Sequence, residues 1–318
     1  MKKALGLIII VLIILLALLS YQKSTQPSKI GSDTVVTTIY PLYFITKSIA
    51  GDAIQVKRLI KPGSEIHSFS PTPADMVELN GADLLITLGK DLEPWVGKLA
   101  TATNLNMLSL EDDLKLIRNG EEHHHDHAEH DHGSHAKESH SKGGINPHVW
   151  LDFDNDIKMI EVINRQLCEL YPDQSALFEK NAKALAGAFE KLERAYSDGL
   201  KECKQHTLLV GHDAFGYLEK RYGFETKSIM GVFAHSRPDA AKIAKLSKMI
   251  KAKELRYLFA DPIESSKSAF QLARDMHLKL EPLHTLGNIS LKDEQRGEDM
   301  MTLLYFDLKQ FRKGLECP

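Results

Sequence analysis

Residues 60–96 read IKPGSEIHSFSPTPADMVELNGADLLITLGKDLEPWV, and this stretch decides the fold. Thr72 is a good N-cap residue, and Pro73 suits the first helical position, where an N–H would have no intrahelical partner. A helix over 74–80 is predicted to stop at Gly81. Residues 83–88 (DLLITL) then form a short apolar run closed by Gly89, which reads as a buried strand. Another helix is expected at about 94–100. Strands separated by helices, without hairpin turns, build parallel sheets.

The same alternation extends outward. Upstream, residues 34–39 are β-rich, a helix is expected over 43–50 after Pro41, and 54–60 alternates as a strand. Downstream, 107–110 is a further strand. The pattern breaks between 117 and 145, and long charged helical stretches follow at 153–170 and 175–204. It then resumes with strands at 208–210, 225–229, 255–260 and 279–283. The intervening helices are 214–222, a segment capped by Ser236 with Pro238 just inside and running to 252, and 265–276. A last helix covers 297–315. Two strand–helix series on either side of one long helix predict an α/β protein of two lobes, with ligands gathered at the carboxyl ends of the strands. The expected boundaries are 33–172 for the first lobe, 173–204 for the connecting helix and 205–318 for the second lobe.

The 318 residues are 43% apolar and 26% charged, as in soluble globular proteins, and the net charge of −3 without a basic stripe excludes nucleic acid as the partner. Residues 1–32 have another character. Lys2 and Lys3 precede an apolar stretch over 4–19 and then a polar segment, the layout of a secretory signal that is either cleaved or kept as an anchor. The folded part is therefore expected outside the cytoplasm. There the three cysteines allow one disulfide, with Cys203–Cys317 the preferred pair, although free thiols remain open. There is no CxxC pair, so a thiolate zinc site has no support.

Histidine carries the chemistry. Eight of the 15 histidines lie within 121–140, at His123, His124, His125, His127, His130, His132, His135 and His140. The composition of this run offers nothing to bury, so a disordered loop over 121–142 that binds metal weakly is expected. Three further histidines stand apart, and each follows a strand or opens a loop: His67, His148 in INPHVWLDF, and His212 in LLVGHDAFGYL. Taken singly, each reads as an ordinary surface or structural histidine. Together, three neutral imidazoles converging from strand-end loops form a face suited to zinc. His206, His235 and His277 carry no such pattern. Asp213 is expected to cap the helix after it, and Tyr40, Trp150 and Phe215 are expected in the core or along the cleft wall.

The segment 60–96, with NPHVWLDF, VGHDAFGYLEKRYGF and LFADPIESS, resembles the metal-specific solute-binding proteins of ABC importers, and in particular their zinc-type group. The resemblance spans about 33–315. It implies two lobes, each with a four-stranded parallel sheet, joined by one rigid helix. It also implies a Zn2+ ion held between the lobes and handed to an ABC permease in the inner membrane, with the carrier working as a monomer. The implied ligands are His67, His148 and His212. Where the family has a carboxylate after the last strand, this chain reads Leu283-His284-Thr285, so His284 is expected as the fourth ligand, with Glu65 and water as the other candidates. Imidazole ligands of ordinary pKa should release the metal below about pH 6. The competing readings are a zinc-dependent hydrolase, for which HExxH is lacking, and a zinc-storing adhesin-like protein without transport.

Overall fold

The structure is a computed structural model that describes residues 33–90, 93–97, 99, 105–117, 144–231, 240–264 and 267–318. The N-terminal segment, the histidine run, His235 and the Ser236 cap lie outside these residues. Among the described residues no helix is long and apolar enough to cross a membrane.

Residues Thr34–Pro318 form one compact unit built on two sheets. The first contains β1 (Thr34–Thr37), β2 (Gln55–Arg58), β3 (Leu84–Thr87) and β4 (Met107–Ser109) in the order β2-β1-β3-β4. The second contains β5 (Thr207–Val210), β6 (Glu225–Ser228), β7 (Tyr257–Ala260) and β8 (Lys279–Pro282) in the order β6-β5-β7-β8. Every pairing is parallel, so the same topology occurs twice. The central strands β1, β3 and β5 are buried throughout, which explains why their residues read as unbroken apolar or threonine runs.

The helices of the first half are α1 (Tyr40–Ala50), α2 (Pro73–Asn80), α3 (Phe153–Leu170) and α4 (Ser175–Gly199). Those of the second are α5 (Gly216–Tyr222), α6 (Ala240–Ala252), α7 (Lys267–Asp275), α8 (Leu291–Gln295) and α9 (Met300–Gly314). Helix α2 begins as its sequence predicts: Thr72 accepts from the Asp75 N–H, and the Asp75 side chain accepts in return from the Thr72 N–H. Helix α1 starts earlier than expected, at Tyr40. Pro41 belongs to its first turn, a position that needs no N–H.

The 25-residue helix α4 is anchored on both sides. Its Tyr196, fully buried, stacks edge-on against Phe153 of α3 at 5.0 Å and lies 6.2 Å from Phe311 of α9. The Tyr196 hydroxyl donates to the Leu304 carbonyl at 2.8 Å. Arg221 of α5 reaches Asp152, Asp154 and Glu193 of the first half. A helix held by buried aromatic contacts from both halves limits how far the lobes can swing. The structure joins Cys203 to Cys317 and leaves Cys168 of α3 as a half-buried thiol.

At the end of β3, the fully buried Glu93 accepts from the Leu88 N–H at 2.8 Å, and burial pushes its carboxyl up to about 7. The unfolded chain ionises this group near pH 4.5, whereas the fold keeps its proton until about pH 7. Stability is therefore lost as pH rises across that window, by about 3 kcal/mol from this group. Glu93→Gln should remove that loss and leave the variant more stable than the parent at pH 8. Urea unfolding of both proteins at pH 5 and pH 8 measures it.

Candidate metal centre

The loop after β2, the 3-10 turn before α3 and the loop after β5 bring His67, His148 and His212 together, with their ligating atoms all within 4.8 Å of one another. The ring centroids form a near-equilateral triangle of 5.4, 5.4 and 5.0 Å. His148 and His212 are buried and His67 is partly exposed.

Each imidazole is set by its own loop. After β5, Gly211 remains tied to the second sheet through its N–H to the Phe259 carbonyl, and His212 follows directly. His148 opens a single 3-10 turn, Val149–Leu151. The Asn146 side-chain oxygen accepts from the His148 backbone N–H at 3.1 Å and lies 2.9 Å from His148 Nδ1. An amide oxygen only accepts, so Nδ1 carries the proton and Nε2 keeps its lone pair for a metal. His212 Nε2 stands 3.0 Å from that nitrogen. Two nitrogens on one tetrahedral zinc, with bonds of about 2.0–2.1 Å, would be roughly 3.3 Å apart. The spacing needs little adjustment.

The Lys61–Ser64 turn, with Gly63 at φ +77°, delivers the loop that carries His67. Glu65 closes that loop by accepting from the His67 and Ser68 N–H groups at 2.7 and 2.8 Å. Burial alone would raise the Glu65 carboxyl, but these donated hydrogen bonds outweigh it and hold the group below its ordinary value.

Glu264 completes the cluster. It forms a second group of donor atoms with Glu65 and His67, and its Oε2 lies 3.4 Å from His212 Nδ1, the nitrogen on the far side of the ring from His148. Burial, and then the neighbouring Asp261 and Glu65, push its carboxyl well above the usual range. Asp261 fixes this loop: its Oδ1 accepts from the Ile263 and Glu264 N–H groups. Glu264 was overlooked in the sequence, although LFADPIESS shows the signal. It follows β7 just as His212 follows β5, and these are the two strands between which the sheet order reverses.

His284 does not join the cluster. Its Nδ1 lies 2.8 Å from Asp307 Oδ1, its backbone N–H is directed to the same carboxylate, and its Nε2 is 3.8 Å from Asp293. Burial would lower its pKa, but Asp307 outweighs burial and raises it, and the ring's bond to Asp307 ties the end of β8 to α9. The reason is local. Neighbouring residues of an extended chain face opposite ways, and the N–H and hydroxyl of Thr285 both bind Asp261 on the cleft side. That turns His284 outward. Asp213 does not act as a helix cap either, because α5 starts at Gly216 with Phe215 as its N-cap residue and no side-chain cap bond. Trp150 and Phe215 are buried, and the Trp150 ring lies 5.3 Å from His148.

Burial, followed by the charges of His212 and His67, holds His148 well below the ordinary imidazole range, and burial brings His212 down to about 3. Both rings therefore stay neutral below the ordinary imidazole range. In the unfolded chain they take up protons near pH 6.5. The stability tied to their neutrality is full above that pH and is lost as pH falls toward about 3. Metal affinity should accordingly avoid the steep loss at pH 6 to 5.5 expected of three ordinary imidazoles, roughly tenfold per ring at one unit below pKa. Chelator competition at pH 7.5, 6.5 and 5.5 measures it.

The family described as zinc-uptake complex component A, periplasmic (ZnuA) matches residues 35–312. The chain belongs to that family. It is 32% identical over 320 residues to the high-affinity zinc uptake system protein ZnuA of Bacillus subtilis, covering 99% of this chain and 98% of that one. It is 31% identical over 295 residues to the zinc-binding lipoprotein AdcA of Streptococcus pneumoniae, covering 91% of this chain but only 57% of AdcA. The chain thus spans little more than half the length of the AdcA relatives it matches. The crystal structure of the Zn(II)-bound ZnuA-like domain of Streptococcus pneumoniae AdcA superposes with a TM-score of 0.73 at 28% identity, covering 90% of this chain and all of that domain. That likeness supports the two-sheet α/β fold of this family member.

Proposed function

We propose that the chain captures Zn2+ outside the cytoplasm and delivers it to the permease of an ABC importer, with His67, His148 and His212 as the nitrogen ligands. The observation that carries this reading is the convergence of those three imidazoles within 4.8 Å. An all-nitrogen face suits zinc better than manganese, which favours harder oxygen donors. With zinc on Nε2, the His212 Nδ1–H would donate a hydrogen bond to Glu264, and loss of the Glu264 proton would offset part of the metal's charge from behind the ring, as Asn146 orients His148. Glu65 and water compete for the fourth position. The membership in a zinc-uptake family supports a carrier rather than a zinc hydrolase.

The histidine run over 121–142 serves in this reading as a weak, fast-exchanging collector beside the tight site. The lobe boundaries follow the two sheets, with α4 as the connecting element and the lobes working as a monomer. Delivery requires an opening of the cleft, which the anchored α4 restricts to loop movement or a small tilt. The test is a competition titration of zinc, manganese and copper into the chain with and without residues 121–142. One equivalent of tight zinc that survives the deletion and resists manganese supports the reading. Loss of all tight binding with the run overturns it.

A further inference from the structure

We infer that Asn288 is a positioning residue for zinc capture, acting through the His67 loop from the opposite lobe. Residues 284–290 cross from the end of β8 to the first lobe and touch the neighbourhoods of His148 and His67 and the Glu264 loop. The Trp150 indole N–H, two residues beyond His148, donates to the Thr285 carbonyl at 2.7 Å. Asp261, which holds the Glu264 loop, binds Thr285. The Tyr40 N–H donates to the Gly287 carbonyl at 3.2 Å.

The contact with the His67 loop is the most specific. Asn288 is 6% exposed. Its amide nitrogen donates to the Lys61 carbonyl at 2.7 Å and to the Ser64 carbonyl at 2.8 Å, closing the turn from the far lobe. The Gly63 N–H donates back to the Ile289 carbonyl at 2.8 Å. Three hydrogen bonds therefore define the turn that ends one residue before Glu65 and three before His67. The strap also needs close approach: a Cβ at Gly287 would collide with the Ile66 side chain and stand 3.1 Å from Trp150. Within the first lobe the same loop is held by the Glu65 carboxylate, which spans Glu65 to Ser68, and by the Ser64 N–H to the Lys61 carbonyl at 3.2 Å. The Asn288 and Ile289 bonds add a hold on 61–64 from the second lobe.

This inference rests on His67 being a zinc ligand, and the test separates the two. Zinc affinity is measured by chelator competition in the full chain, at free zinc low enough that weak sites stay empty. The proteins are the parent, Asn288→Ala, Asn288→Asp, His67→Ala and the double variant Asn288→Ala/His67→Ala. Aspartate keeps the shape of asparagine but removes both donors. Each Asn288 variant should lose about ten- to a hundredfold in affinity, the range seen when groups that orient a ligand are removed. In the double variant the loss should nearly equal that of His67→Ala alone, because the two residues act through one ligand. Amide hydrogen exchange of the zinc-free proteins should show faster exchange at Gly63 and His67 in both Asn288 variants, with the β5 amides unchanged. Additive losses, or full affinity in both Asn288 variants, overturn the inference. If His67→Ala keeps full affinity, it is the assignment of the site that fails, and the exchange data still report whether Asn288 holds the loop.

Discussion

His148→Ala should lower zinc affinity by about a hundred- to a thousandfold while leaving the fold intact. Structural zinc sites supply about 10–16 kcal/mol in total, so one of four ligands accounts for about 3–4 kcal/mol, or two to three powers of ten in Kd. His148 should show the largest loss of the three imidazoles because its geometry is the most completely fixed. Its ring is buried, its Nδ1 is held by Asn146, and its Nε2 faces His212 at 3.0 Å. An added water cannot reproduce a nitrogen placed in that way. Asn146→Ala should cost less, about ten- to a hundredfold, since the ring remains and only its tautomer and angle are freed. Chelator competition gives both values, and equal affinity in the parent and His148→Ala would contradict the proposed site.

Replacing both Cys203 and Cys317 by serine should cost about 4–5 kcal/mol of unfolding free energy. The bridge closes a loop with a sequence separation of 114, and loops near 100 residues give about that value in the chain-entropy estimate. The cost falls on the second half of the molecule. The bridge fastens the segment before β5 to the end of α9, next to the backbone bond from the Gln205 N–H to the Leu315 carbonyl. Zinc affinity of the folded double variant should change less than threefold, because the bridge joins the amino end of β5 to the C-terminus whereas His212 lies beyond the carboxyl end of that strand. Urea unfolding measures the first effect and chelator competition the second.

Most of the architecture was legible because its signals are local. Thr72 and Pro73 announce α2, Gly89 ends β3, and the apolar runs of β1, β3 and β5 have no polar alternation because both faces of each sheet are covered. The three isolated histidines were legible for the same reason, since each follows from a strand end or loop start. Long-range geometry was not. Whether His284 faces the cleft or α9 depends on Thr285 finding Asp261 and on the buried carboxylate of Asp307, neither of which lies near it in sequence. The pH range of the site was hidden likewise. Reference imidazole values apply in water, and burial shifts His148 and His212 far below them. Glu264 was legible in principle but lacked the chemical prominence of a histidine.

The central claim is that zinc sits between the lobes on three imidazoles. Anomalous diffraction from zinc-loaded crystals, collected on both sides of the zinc edge, tests it most directly. The account predicts one strong peak about 2.0–2.1 Å from the ring nitrogens of His67, His148 and His212, with Nε2 as the ligating atom of His148 and His212, and His284 still bonded to Asp307. A cleft without a peak, with zinc bound elsewhere at full occupancy, would contradict it.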